Sequence, residues 1–285
     1  MIPTVLVAGS LHHDIMVEAD HLPRRDETAI GRRWYPKFGG KGGNQAAAVA
    51  RAGATSRMLG AVGDDGFGTF LRDGLRAGGV DDRYVAVLPG VGSGMSVAIQ
   101  DASGDYAATI VSGANLCIDP LVLEDRDLWQ EVRLLVLQNE VPEALNLAAA
   151  RAARARGVAV LLNAAPARAL PAALVPLIDV LVVNAVEAEM MGAGPVTDLV
   201  SAAGAARFLS DRFPTVIVTA GSRGLAAVTP DQSFTLAAEA VTVVSSHGAG
   251  DAFVGALAAE LARGQDFRAA VGAASQAAAR HVAGG

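Results

Sequence analysis

The chain has 285 residues, of which 52% are hydrophobic and 18% are charged, and its formal net charge is −6. This length can bury most of the surface that the unfolded chain exposes, so the composition indicates a well-packed globular protein and argues against disorder. Nucleic acids and anionic membrane surfaces attract basic proteins, so the acidic balance argues against both as partners.

The cysteine content and the N-terminal segment bear on the compartment. Cys117 is the only cysteine, which excludes an internal disulfide, and we expect a reducing, cytoplasmic location. Residues 1–8 lack a basic leader and a long apolar core, so they are typical of a first strand rather than of a signal peptide. Charged residues, Asn or Pro interrupt every longer apolar stretch, so no membrane-spanning helix is expected.

Short aliphatic runs alternate along the chain with alanine-rich stretches. The runs predict buried strands, and the stretches between them predict helices. Strands that alternate with helices predict a mostly parallel sheet covered on both faces. The predicted strands are residues 5–8, 134–137, 158–162, 180–183 and 216–219, and the predicted helices are residues 143–156, 199–213 and 251–263.

Two segments depart from this alternation. Residues 95–100 alternate between apolar and polar or small side chains, and residues 101–105 predict a turn into a returning strand, 106–111. Residues 14–38 are also strand-like, and Pro36 suits an edge strand. We therefore interpret the chain as an α/β core with a small β lid. The core comprises residues 1–13, 39–93 and 113–285, and the lid comprises residues 14–38 and 94–112.

The segment 246–251, Ser-His-Gly-Ala-Gly-Asp, stands directly before a predicted helix. Small residues allow the N–H groups of a helix N-terminus to face an anion, which can stabilise a transferring phosphoryl group. The Asp251 carboxylate could there deprotonate an alcohol for in-line attack. The alternative is that Asp251 only caps the helix.

The segment 38–44, Phe-Gly-Gly-Lys-Gly-Gly-Asn, is the second motif. Consecutive glycines permit a close approach of the backbone to a ligand, and Lys41 and Asn44 offer hydrogen-bond donors to hydroxyl groups. The alternative is a flexible hinge with one solvated lysine. The spacing does not match a P-loop, and no Gly-x-Gly-x-x-Gly follows the first strand, which argues against a nicotinamide oxidoreductase.

Further polar residues follow predicted strands. Asn184 and Glu187 come after residues 180–183, where a carboxylate could organise Mg²⁺ and phosphate, although the pair could instead form a helix capping box. Residues 219–224 could donate N–H groups to phosphates or form a turn. Asp14 and Glu140 could bind hydroxyl groups or be solvated. We interpret residues 60–68 as a loop that enters a helix.

These motifs, in this order, closely resemble the ribokinase-like (PfkB) sugar kinase family, from about Val5 to the C-terminus. Residues 39–44 with 63–68, and residues 248–251, carry the resemblance, while residues 163–171 and 221–224 are most similar to its ribokinase branch. The resemblance implies a three-layer α/β core with a mostly parallel sheet and a small β-sheet lid. It also implies ATP-dependent phosphorylation of a sugar hydroxyl, and a homodimer that pairs through the lid.

The resemblance further implies roles for particular residues. Asp251 would be the catalytic base, and Glu187 would organise Mg²⁺ and the phosphates of ATP. The implied anion hole is Gly248, Ala249 and Gly250. The implied sugar-binding residues are Asp14, Gly40, Lys41, Asn44 and Glu140, and the implied ATP-binding residues are Asn184, Thr219, Gly221, Ser222, Gly224 and Ser275.

The sequence departs from the family pattern near the predicted base. Ser245 stands where an acidic residue usually helps to bind a monovalent cation, and His247 stands where Thr, Ala or Ile is commoner. The chain also ends at Gly285, before the further strand or helix that is usual in the family. We therefore expect activity to depend little on potassium. Open alternatives are a kinase for another sugar, a sugar acid or a nucleoside, and a non-catalytic sugar-binding regulator.

Overall fold

The computed structural model describes residues 2–102 and 106–284 of the chain. Met1 and part of the predicted turn at residues 101–105 therefore lie outside the described residues. The strands form a large nine-stranded sheet and a separate four-stranded sheet. Within the described ranges, no helix combines the length and the hydropathy that crossing a bilayer requires.

The large sheet has the order β13-β12-β11-β10-β9-β8-β1-β4-β5. The seven strands from β11 to β5 are parallel, and β12 and β13 add an antiparallel edge. The bounds are β1 (Thr4–Ala8), β4 (Thr55–Gly63), β5 (Val80–Leu88), β8 (Val132–Gln138), β9 (Ala159–Asn163), β10 (Val180–Asn184), β11 (Thr215–Thr219), β12 (Leu225–Val228) and β13 (Ser233–Leu236).

Helices cover both faces of the large sheet. Successive side chains of a strand point to opposite faces, so the buried residues of β8 divide between two apolar clusters, Leu135 and Leu137 in one and Leu134 and Val136 in the other. One cluster includes α3 (Glu143–Arg154) and α5 (Leu199–Ser210). The other includes α1 (Lys41–Arg51), α2 (Gly66–Ala77), α6 (Ala249–Ala262) and α7 (Phe267–Val282). The predicted three-layer α/β fold with a mostly parallel sheet is confirmed.

The small sheet has the order β3-β2-β6-β7. Its strands are β2 (His12–Ala19), β3 (Gly31–Gly39), β6 (Met95–Gln100) and β7 (Tyr106–Val111). The β2–β3 and β6–β7 pairs are antiparallel, whereas β2 and β6 are parallel. Between β3 and β6 the chain contributes β4 and β5 to the large sheet and then returns to the small sheet. A connection of this length allows β2 and β6 to run parallel.

One local interpretation of the sequence is wrong. Residues 60–63 belong to the buried strand β4 and do not form a loop. Ala61 and Val62 are fully buried, and the strand pairs with β1 on one side and with β5 on the other. Glycine and small residues suggested a turn, but here they serve close packing in a central strand. The helix α2 begins only at Gly66, where the Asp65 side chain accepts a hydrogen bond from the Gly68 N–H.

Helices α1 and α6 pack closely against each other, and Gly255 of α6 lies against the backbone of α1. A Cβ atom at Gly255 would collide with the Cβ of Ala48 and lie 2.6 Å from the carbonyl oxygen of Gln45. Backbone atoms cannot rotate away as a side chain does, so the two helices would have to separate.

We predict that Gly255→Ala lowers the free energy of unfolding by about 1–3 kcal/mol, the usual cost of overpacking a core. Gly204→Ala is the matched control, because Gly204 lies inside α5 with nothing within 4 Å of the added methyl group. That change should be neutral or stabilising by roughly 0.5–1 kcal/mol. Urea unfolding of both variants measures the difference, and equal stability would contradict the packing argument.

Candidate active site

Two cavities meet at the carboxyl end of the large sheet, where open α/β sheets bind their ligands. The larger cavity, of about 790 Å³, lies between the small sheet and the core. The smaller cavity, of about 210 Å³, lies against the ends of β9, β10 and β11. Lys41 and Asp251 line both cavities. A group bound in one cavity can therefore meet a group bound in the other at these two side chains.

The five predicted sugar-binding residues all line the larger cavity: Asp14, Gly40, Lys41, Asn44 and Glu140. Its two carboxylates outside the helices are already oriented by neighbouring donors. The Ser96 hydroxyl donates to Asp14 Oδ1, and the Ser10 hydroxyl and the Lys41 backbone N–H donate to Glu140 Oε2. Carboxylate oxygens held in this way suit the recognition of hydroxyl groups.

The glycine-rich motif is packed in place rather than hinged. Gly40 has φ of 85° and precedes the first residue of α1. A Cβ atom there would lie 2.7 Å from the backbone nitrogen of His12, so a larger residue would meet both backbone strain and a clash. Gly42 and Gly43 are buried. The hinge interpretation of residues 38–44 therefore does not fit the structure, because tight packing fixes the position of Lys41.

Asp251 is a buried carboxylate in the first turn of α6, and only 8% of its surface is exposed. The helix begins at Ala249, after Gly248 in the left-handed conformation, and the Asp251 side chain makes no capping hydrogen bond. Instead its Oδ1 accepts from Gln45 Nε2 at 2.9 Å, and its Oδ2 lies 3.4 Å from Asn44 Nδ2. The capping interpretation of Asp251 is therefore wrong.

Burial and nearby charges set the protonation of the two carboxylates that flank the smaller cavity. Burial raises the pKa of Asp251, and the Lys41 charge and the Gln45 hydrogen bond oppose that rise. Burial also raises the pKa of Glu187, against the Asn184 backbone hydrogen bond and the Lys41 charge. A base works best when its pKa lies near the operating pH. The site thus suits proton abstraction beside a cavity that binds hydroxyl groups.

Asn184 and Glu187 form the capping box of α4 (Ala185–Met190) and also line the smaller cavity. The Glu187 N–H donates to Asn184 Oδ1, and the Asn184 N–H donates to Glu187 Oε2, each at 2.8 Å. The two interpretations of this motif are therefore compatible. The capping box fixes the direction of the Glu187 carboxylate toward the cavity that it shares with Asp251 and Lys41.

The remaining predicted residues divide into two groups. Thr219, Gly248 and Gly250 line the smaller cavity with Asn184. In the part of the chain that the structure describes, neither of the two cavities is lined by Ala249, Gly221, Ser222, Gly224 or Ser275. Residues Gly221–Arg223 form a short 3₁₀ turn after β11, and Ser275 is half-buried in α7. An ATP-binding role for these residues stays a prediction.

The segment before the predicted anion hole is attached to the end of α7. The N–H groups of Val244 and Ser245 both donate to the carbonyl oxygen of Val282, and the ring Nε2 of His281 lies 2.9 Å from the carbonyl oxygen of His247. Ser245 and His247 also line the larger cavity. Burial lowers the pKa of His247, and the nearby charge of Lys37 lowers it further.

Several residues of the site were not predicted from the sequence. Gln45 is fully buried and joins Asp251 to Asn163. Ser10 donates to Glu140, Ser96 donates to Asp14, and His12 lines the larger cavity beside them. Asn163 ends β9 just as Asn184 ends β10, so the same signal could have found it. Gln45 lies one helical turn after Lys41, but only the fold reveals its distant partners. Among the described residues, no three His, Cys, Asp or Glu side chains form a potential metal cluster.

Comparison with known proteins places this geometry in a family. The family model described as "pfkB family carbohydrate kinase" matches residues 3–283. A ribokinase of Staphylococcus aureus (strain COL) is 32% identical over 265 residues, which cover 92% of this chain and 87% of that protein. A deoxyribokinase of Salmonella typhi is 34% identical over 273 residues, which cover 94% of this chain and 88% of that protein.

A solved structure has the same fold. The Arabidopsis thaliana ribokinase complexed with ribose and ATP superposes with a TM-score of 0.90 and is 28% identical in sequence. The match covers 99% of this chain and 93% of that one. The similarity therefore extends over both the large sheet and the small sheet.

Proposed function

Because the chain belongs to the pfkB family of carbohydrate kinases, and is a ribokinase-type sugar kinase, we propose that it phosphorylates ribose or deoxyribose with ATP, using Asp251 as the base. The observation that supports this most is the meeting of the two cavities at Asp251 and Lys41. The larger cavity would hold the sugar, and the smaller one would hold the transferring end of ATP. The Arabidopsis thaliana ribokinase that shares this fold is complexed with ribose and ATP, which supports the same assignment.

In the proposed reaction the sugar lies in the larger cavity with one hydroxyl group against Asp251. Asp251 Oδ2 accepts the hydroxyl proton, the hydroxyl oxygen bonds to the γ-phosphorus of ATP, and the bond from that phosphorus to the bridging oxygen breaks, releasing ADP. Gly248 directly precedes α6, and Ala249 and Gly250 are its first two residues. The free N–H groups and the positive end of the helix dipole there would stabilise the added negative charge. Lys41 would contribute a further positive charge at the same place.

The donor set of the smaller cavity fits Mg²⁺ bound together with a nucleotide. Mg²⁺ usually takes one or two protein carboxylates and completes its shell with phosphate oxygens and water. Glu187, which is 7% exposed and uses its Oε2 in the capping box, is the carboxylate that we assign to this role. The bound ion would neutralise phosphate charge during transfer.

A cytoplasmic location also remains a prediction, made from the sequence alone.

We predict that ADP release is fastest with ribose or deoxyribose in a panel that also contains hexoses, sugar acids and nucleosides. Asp251→Asn should lower kcat by at least ~10²-fold, because a positioned base typically contributes ~10²–10⁴-fold. ATP binding, followed by calorimetry, should stay close to that of the wild type. A variant that retains more than about a tenth of the rate would contradict the role of Asp251. A clear preference for a nucleoside or a sugar acid would contradict the substrate class.

We also propose that the small sheet is a lid over the sugar and pairs with the lid of a second copy to form a homodimer. The support is apolar surface on β3, on β7 and in the loop between β2 and β3: Trp34 is 66% exposed, Val111 52% and Ile30 88%. Apolar surface of this kind on one sheet is typical of an interaction site.

Analytical ultracentrifugation tests the homodimer. We expect the wild type to sediment as a dimer and Trp34→Glu to shift it toward the monomer, because a buried unpaired carboxylate opposes association. Leu121→Glu is the matched control, since Leu121 is equally exposed at 66% but lies in a 3₁₀ turn outside the small sheet. A monomeric wild type, or an equal effect of both changes, would argue against the lid interface.

A final prediction concerns the monovalent cation. Ser245 offers a neutral hydroxyl group where the family usually has a carboxylate, and hard cations gain much of their binding from anionic oxygen. Turnover should therefore be nearly equal in sodium, potassium and tetramethylammonium salts at fixed ionic strength, with Mg²⁺ present throughout. A clear stimulation by potassium alone would show that other groups compensate for Ser245.

A further inference from the structure

The Gln45 side chain connects α1, the helix that carries the glycine-rich motif, to the proposed base Asp251. It is fully buried in α1, and its Nε2 lies 2.9 Å from Asp251 Oδ1 and 3.0 Å from Asn163 Oδ1. The carbonyl oxygen of Gln45 faces Gly255, one turn of α6 after Asp251. The close approach of the two helices therefore fixes both ends of the interaction.

The chemistry of its neighbours determines how the Gln45 amide is oriented. Asn163 Nδ2 donates to the carbonyl oxygen of Val182, so Asn163 presents its oxygen to Gln45. An ionised Asp251 also presents only acceptors. Both hydrogens of Gln45 Nε2 are therefore used, one on each partner, while Gln45 Oε1 has no hydrogen-bond partner among the described residues. Reversing the amide would place two pairs of acceptors in contact, so a single orientation is stable.

We propose that Gln45 is the positioning residue of the catalytic base, and this inference rests on the proposed role of Asp251. Gln45 anchors Oδ1 and so directs Oδ2 toward the hydroxyl group of the substrate. The donor also stabilises the ionised carboxylate, which burial disfavours. Asn44 Nδ2, at 3.4 Å from Oδ2, is too distant to replace this bond. The base thus keeps its direction through one buried amide, which acts together with the Lys41 charge to favour the ionised carboxylate.

The dependence of kcat on pH tests this role, because its acid limb reports the ionisation of the base in the substrate complex. Gln45→Met keeps a similar length but removes both donors. Without the donor, the pKa of Asp251 rises further, and the active ionised form appears only at higher pH. A hydrogen bond to a charged group is worth about one to two pH units, so the midpoint of the acid limb should move upward by that amount. Below the midpoint kcat should fall about 10–100-fold, with the KM for ATP close to that of the wild type.

Ser56→Ala is the matched control for a general loosening of α1. The Ser56 hydroxyl donates to the carbonyl oxygen of Ala46, the residue after Gln45, and it does not touch Asp251. Loss of this buried hydrogen bond should lower the thermal midpoint of unfolding without moving the acid limb. An acid limb that moves equally in Ser56→Ala would overturn the proposal, because loosening of the helix would then be sufficient.

The remaining outcomes are decisive as well. A folded Gln45→Met enzyme with an unchanged acid limb would show that Gln45 only fills space. Should Gln45→Met fail to fold, Gln45→Asn is judged by the same criterion, since it retains an amide that is one methylene too short to reach both partners.

Asp251→Asn distinguishes a failure of the positioning role of Gln45 from a failure of the base assignment. If it is inactive while the acid limb of the Gln45 variants stays in place, only the positioning role fails. If it is active, the base assignment fails and the positioning role with it.

Discussion

The contact between α1 and α6 is the constraint on which the active site depends. Asn44 and Asp251 are 207 residues apart in the chain, yet their side chains lie within 3.4 Å. They meet because Gly255 allows the backbones of the two helices to touch, which fixes the helix N-termini side by side. One N-terminus carries the glycine-rich segment and Lys41, and the other carries the predicted anion hole. Tightly packed interiors tolerate little displacement, so this contact sets the geometry of both cavities.

The site also places one positive charge where an isolated helix would avoid it. Lys41 is the first residue of α1, although a cation at a helix N-terminus is unfavourable and the first turn contains no acidic residue. The compensating negative charges come from elsewhere in the fold, from Glu140, Glu187 and Asp251, which line the same two cavities. Local rules are commonly broken at functional sites, and in the proposed reaction this departure would supply a positive charge beside the phosphate groups of ATP.

Much of this site could be predicted because its signals are local. Glycine-rich segments before helices and polar residues after strands mark the carboxyl end of a parallel sheet whatever the rest of the fold. The contact between Gln45 and Asn163 has no local signal in the sequence, because 118 residues separate them and only the fold brings them together. The parallel pairing of β2 with β6 was also not predictable from alternation, which indicates a strand but not its partner. The loop predicted at residues 60–63 is wrong for a different reason, because small residues indicate a turn or a tightly packed strand equally well.

The carboxylates of the site share one mode of support. In Asp14 the Oδ1 atom accepts from Ser96, in Glu140 the Oε2 atom accepts from Ser10 and from the Lys41 N–H, and in Glu187 the Oε2 atom accepts from the Asn184 N–H. Asp251 follows the same pattern through Gln45. Each group thus has one oxygen fixed by the protein, which defines the direction of the carboxylate. A carboxylate held only by charge could rotate, whereas a donor fixed by packing on a helix or strand restricts it before any ligand arrives. The capping box of α4 is one instance, in which an ordinary stabilising interaction also prepares a functional group.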